Sequence, residues 1–126
     1  MKIKIPVQAL RVDIIAQTIV AVELKYSDVL QQLYDLIDCQ TVSGFDLDDF
    51  HYCYMDDEGL LGEPEGYFML PEFSYPIAGN AVIVGTNYRN GNDKSVKGDL
   101  LEKLRGRIIF FRAGEVKVKQ EIRLLE

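Results

Sequence analysis

The sequence predicts an α+β fold of about six mostly antiparallel strands with one longer and one short helix, in a single domain spanning residues 1–126. Three observations predict it. Short β-branched and aromatic runs bounded by Gly, Pro and Asn recur along the chain, as strands do. Residues 28–38 alone place apolar side chains at helical spacing over several turns. A length of 126 residues at 48% apolar content supplies one buried core.

The elements follow in order. Lys2, Ile3, Lys4 and Ile5 alternate polar and apolar, as a half-buried strand does, and Pro6 limits that strand's inner pairing or places it at an edge. Residues 8–17 are ambiguous between helix and strand. Residues 18–24 are rich in β-branched side chains and read as strand. Ser27 suits a helix N-cap, with Asp28 near the positive end of the dipole. It opens an amphipathic helix carrying Val29, Leu30, Leu33, Leu36 and Ile37. Residues 39–45 return as a strand closed by Ser43 and Gly44.

The rest is organised around residues 47–85. In its first strand Phe50, Tyr52 and Tyr54 share one face, while His51, Cys53 and Met55 share the other. Bulky groups on both faces predict a strand interior to the sheet. Asp56, Asp57, Glu58 and Gly59 then turn the chain. Residues 59–79 read as one long loop, a length that is usually functional or holds short structure of its own. Residues 81–85 form a buried strand. After a polar Asn90-Gly91 turn, Asp99 begins a short helix with Glu102 in capping-box spacing and Gly106 at its end. Residues 107–125 read as a C-terminal hairpin. Its last strand turns Val116, Val118, Ile122 and Leu124 one way and Lys117, Lys119, Glu121 and Arg123 the other.

Composition excludes several classes. No apolar run is long enough to span a membrane, and the N-terminus lacks the apolar segment of a signal peptide. Two cysteines, Cys39 and Cys53, make no disulfide framework, so a reduced, cytoplasmic protein is expected. The net charge is −6, but it is uneven. No Lys or Arg stands between Tyr26 and Tyr88, where twelve acidic residues occur, while both flanking segments are net basic. Such asymmetry marks a partner surface, or acidic turns facing a basic hairpin across the fold.

Motifs for chemistry are weak. Asp46, Asp48 and Asp49 start like a calcium loop, but Phe50 and His51 stand where a ligand and a glycine are needed. Asp56, Asp57 and Glu58 have the composition for a divalent cation or a shared proton; a solvated turn accounts for them equally. Cys39, His51 and Cys53 are the soft ligands, without the paired spacing of a zinc site. No phosphate loop is present. Lys94, Lys97, Lys103, Arg105, Arg107 and Arg112 lack interleaved stacking aromatics, and the sequence pI is 4.8. Nucleic-acid binding is therefore not expected.

Three places in the chain carry a family resemblance. They are the helix from Val29 followed by a strand, the run YMDDEGLL at 54–61, and the run IAGNAVIVG at 77–85, with the short helix near Asp99 in support. Over roughly residues 24–105 the chain resembles the "domain of unknown function 3846" family, small proteins of bacteriophages, mobile elements and gut metagenomes. Where the family tends to carry an Asn after the Leu-Leu pair, this chain has Glu63-Pro64-Glu65. The resemblance implies a phage or mobile-element origin and no inherited activity.

The expected function is a non-enzymatic binding protein, an accessory factor that binds a host protein or sequesters a small ligand, with no cofactor. Its binding residues are Asp56, Asp57, Glu58, Tyr67, Phe68 and Asn80. Two alternatives stand beside it: an acidic DNA mimic that occupies a DNA-binding protein, and a metal-dependent hydrolase using Asp56, Asp57, Glu58 and His51. Strands near both chain ends need their edges covered, so a homodimer is expected.

Overall fold

Residues 81–85 are buried at every position, and a strand without a solvent face must be covered on both sides. The computed structural model, which describes residues 6–25, 28–59, 64–73, 75–87, 89 and 91–112, shows how. In chain order the elements are β1 (Val7–Asp13), β2 (Thr18–Leu24), α1 (Val29–Ile37), β3 (Val42–Asp48), β4 (His51–Asp56), β5 (Gly66–Met69), β6 (Ile77–Ala78), β7 (Ala81–Thr86), β8 (Asp93–Lys94), α2 (Leu100–Arg105) and β9 (Ile109–Arg112). The fold is α+β, with one longer and one short helix among the described residues.

The larger sheet has the order β2-β1-β7-β4-β3, with β8 also paired to β7. Its pairings are antiparallel. A smaller antiparallel sheet runs β6-β5-β9. Each face of the larger sheet has its own core. On one face Leu10, Val12, Cys53 and Ile83 pack with Phe68 and Leu70 of the small-sheet segment and with Leu100 and Leu104 of α2. On the other face Val7, Ala9, Leu24, Val82 and Val84 take Leu33 and Ile37 of α1. Burying one such aliphatic side chain stabilises by about 1.5–3 kcal/mol, which explains why β7 carries no polar side chain between Ala81 and Gly85.

Several expectations are corrected. Nine strands are described rather than about six, because residues 59–79 contain β5 and β6 and because β8 is a separate two-residue strand. Residues 8–17 resolve into β1 and a turn, since Ala9 and Leu10 are both buried on opposite faces. β1 lies between β2 and β7. Ser43 and Gly44 do not close a strand; they lie within β3. Gly44 is there because a Cβ would sit 2.3 Å from the Tyr52 ring and 2.6 Å from the Cys53 carbonyl oxygen.

The start of α2 also differs from expectation. Asp28 and Asp99 occupy the N-cap positions, but neither side chain makes a capping hydrogen bond. Asp99 instead pairs with Lys103 at 2.9 Å, and Glu102 with Arg105. In β9, Phe111 is buried while Ile109 is half exposed. The expected first strand at 2–5, the Ser27 cap and the hairpin beyond Arg112 lie outside the described residues. β4 is interior, between β7 and β3, as its two bulky faces require.

Candidate functional site: an acidic pocket beside Asn80

Two of the runs singled out in the sequence meet in space. β4 ends at Asp56, whose Oδ1 accepts the Glu58 N–H at 2.9 Å, while the Gly59 N–H closes on the Asp56 carbonyl at 3.2 Å. An aspartate hydrogen-bonding two residues ahead is the usual chemistry of such a turn. Asp57 N–H donates to Thr41 O at 3.1 Å, which ties the turn to the residue before β3. Opposite, β6 and β7 are joined by Gly79 and Asn80. Gly79 has φ 82°, a backbone conformation that favours glycine, and its N–H reaches Gly66 O at 3.0 Å.

Between these turns lies a pocket of about 260 Å³. Its carboxylates are Asp38, Asp56, Glu58 and Glu65, its apolar walls Ile14, Ile15, Ile37 and Pro64. Asn80 is 8% exposed, and its Oδ1 accepts the Ile14 N–H at 2.9 Å. Asp38 follows the last residue of α1 with φ 62° and returns its N–H to Tyr34 O at 2.8 Å. That end of a helix carries partial negative charge, so the helix adds to the acidic field. Burial first, then the charges of Asp56 and Asp38, push the Cys39 thiol up to about 11.

The predicted binding residues divide. Asp56, Glu58 and Asn80 line this pocket, and Asp57 is exposed outside its lining. Phe68 is fully buried in the core of the sheet-to-sheet face, so it is a packing residue and not a surface anchor. Tyr67 is half-buried on β5, opposite Ala78 and Phe111. Asp38 was missed. Its only signal was an acid just past a predicted helix, where a glycine or a base is the common choice.

A second pocket of about 510 Å³ lies between the β3–β4 turn and α2. His51 is buried at its base. Its Nδ1 lies 2.9 and 3.0 Å from the two Asp48 carboxylate oxygens, and its Nε2 accepts the Lys97 N–H at 3.1 Å. The neutral ring with its proton on Nδ1 satisfies both contacts. Burial opposes ionisation of Asp48, but the Phe50 N–H and His51 outweigh it and lower its carboxyl. The cations here have partners too: Lys97 sits 3.5 Å over the Phe50 ring, Lys103 pairs with Asp99 and Arg107 with Glu72. His51 therefore braces the 95–99 segment against β4.

The four residues named for a hydrolase do not converge. His51 and Asp56 are the first and last residues of β4, roughly 17 Å apart along an extended strand. Cys53 is buried, with its thiol pushed up to about 12 by desolvation. It faces the Phe68 core, whereas Cys39 packs with α1 on the other side of the sheet.

Fold and site define a small α+β domain, with two antiparallel sheets and two helices among the described residues and an acidic pocket where two turns meet. The sequence model of the family described as Domain of unknown function (DUF3846) matches residues 7–109, and the chain belongs to that family. The match is wider than the segment 24–105 and takes in β1 and β2. No curated protein and no solved structure matches the chain. Among the described residues no helix is long and apolar enough to cross a membrane.

Proposed function

We propose that the protein is a non-enzymatic binding module, of phage or mobile-element origin, that docks a cationic face of a host protein in the cytoplasm. One observation carries the reading: four carboxylates and a helix C-terminus surround one pocket whose described lining contains no base. Complementary charge of this kind sets partner choice and speeds encounter more than it adds raw affinity. The DNA-mimic alternative has less support, because Asp46, Asp48 and Asp49 cluster at the other end of the β3–β4 hairpin from Asp56. Mimicry needs charge spaced regularly along one surface. A homodimer remains part of the proposal, and sedimentation velocity tests it.

The test of docking is charge reversal. The double variant Asp56→Lys, Glu58→Lys should lose the partner recovered from infected cells, and wild-type association should slow as salt rises. The Debye length falls from about 10 Å at 0.1 M to about 3 Å at 1 M. Retention of the partner by the folded double variant at unchanged rate would reject the reading.

A further inference from the structure

We propose that His51 is an acid-released latch on the segment 95–99, and that its release opens the larger pocket beside α2. This goes beyond the docking reading and does not depend on it. The segment reaches from β1 to β4 and is held on both sides. At β1 the Gln8 N–H donates to Ser95 Oγ and the Val96 N–H donates to Gln8 O, each at 2.9 Å. At β4 the Lys97 N–H donates to His51 Nε2 at 3.1 Å. Gly85 of β7, the strand between them, gives room for the passage, since a Cβ there would stand 2.4 Å from Ser95 O. Lys97 and Asp99 form one side of the pocket of about 510 Å³, so the latch holds that side in place.

The latch closes only on a neutral ring. His51 is 3% exposed, its Nδ1 proton serves Asp48, and its Nε2 lone pair serves Lys97. A protonated imidazole carries a hydrogen on both nitrogens. Its Nε2–H would then face the Lys97 N–H, donor against donor, and that hydrogen bond is lost. Burial raises the Asp48 carboxyl, but the Phe50 N–H and His51 lower it further. Asp48 therefore stays ionised and keeps the charged ring in place. Across the pocket the other charges nearly balance: Asp49, Glu72 and Asp99 against Lys97, Lys103 and Arg107. Gly85 brings no charge from β7, and Lys94 of β8 lies against it. The released state binds one proton more at His51 than the latched state, so release is favoured as pH falls. The range is that near about 6.5, where imidazole ordinarily ionises.

His51 is the chain's one histidine, so its ring signals report this site alone. Nitrogen NMR of the ¹⁵N-labelled full chain from pH 8 to pH 5, read together with amide hydrogen exchange, tests the latch. At pH 8 the ring should show the tautomer with its proton on Nδ1. As the ring ionises, protection of the Lys97 amide, corrected for the intrinsic pH dependence of exchange, should fall about tenfold. Protection of Val82 and Ile83 in β7 should hold. His51→Gln carries an acceptor but cannot ionise, so it should abolish the pH dependence at Lys97. If His51→Gln fails to fold, the wild-type comparison of Lys97 with Val82 and Ile83 decides. A ring that stays neutral to pH 5, or one that ionises with Lys97 protection unchanged, would overturn the latch. So would an equal loss of protection in β7, or a pH dependence at Lys97 that persists in folded His51→Gln.

Discussion

The Tyr54 hydroxyl donates to the Asp93 carboxylate, lying 3.0 and 2.9 Å from its two oxygens, across 39 residues of sequence. It links β4 to the short strand β8, two elements that do not pair with each other. Burial lifts the Asp93 carboxyl above its ordinary range, and Tyr54 offsets this only in part. The folded state therefore holds this proton to higher pH than the unfolded chain does. Stability falls as pH rises from about 4, the ordinary carboxylate value, through the raised one. Asp93→Asn keeps an acceptor for Tyr54 and removes the charge. Urea denaturation should show that slope flattened and a gain at neutral pH of under about 1 kcal/mol, since solvent screens a half-buried group.

Truncating His51 should loosen the segment before α2. His51→Ala leaves the Lys97 N–H without its acceptor and Asp48 with the Phe50 N–H but no side-chain donor, at a cost of about 2 kcal/mol. Hydrogen exchange at Lys97 should accelerate well before that of β7. Equal acceleration in both would mean that His51 supports the whole core and not this brace.

At Gly44 the prediction is steric. A methyl group there meets the Tyr52 ring and, less avoidably, the Cys53 carbonyl oxygen of the neighbouring strand. Gly44→Ala should destabilise by about 1–3 kcal/mol, the range for overpacking. The additional variant Tyr52→Ala should recover only part, because the backbone contact remains.

Phe68 and Tyr67 are adjacent on β5 but should respond differently. Phe68→Ala empties the centre of the core and should cost about 3–5 kcal/mol. Tyr67→Ala, at a half-buried position, should cost about 1 kcal/mol. Thermal melts of the two variants distinguish them, and equal losses would contradict the placement of β5.

The two thiols should alkylate in a fixed order. Cys53 is fully buried with its thiol raised to about 12, and Cys39 is partly accessible with its own raised to about 11. Only the thiolate reacts, so both should be slow at neutral pH, Cys39 first and Cys53 only through unfolding. Mass spectrometry of iodoacetamide-treated protein in rising urea reads this directly. Ready labelling of Cys53 in the native state would contradict it.

Much of the fold was legible in residue order because local rules govern those parts. The helix is readable since Val29, Leu33 and Ile37 recur every turn and bury one stripe. β7 is readable since five consecutive small or branched residues suit a strand covered on both faces. β4 announced its interior position through bulky groups on alternate sides. The acidic turn and the Gly79-Asn80 turn were each visible, and Asp56, Glu58 and Asn80 were named before any geometry.

Tertiary structure decided the rest. Residues 66–69 contain a glycine, two aromatics and a methionine, a run too short to state its own conformation. Only pairing with residues 109–112 and 77–78 makes it a strand and sends Phe68 inward. The same holds for the pocket. Asp38, Asp56, Glu65 and Asn80 come from four separate parts of the chain, and no periodicity relates them. They meet because strand order sets which turns share an end of the sheet, and strand order depends on long-range burial that no local window contains.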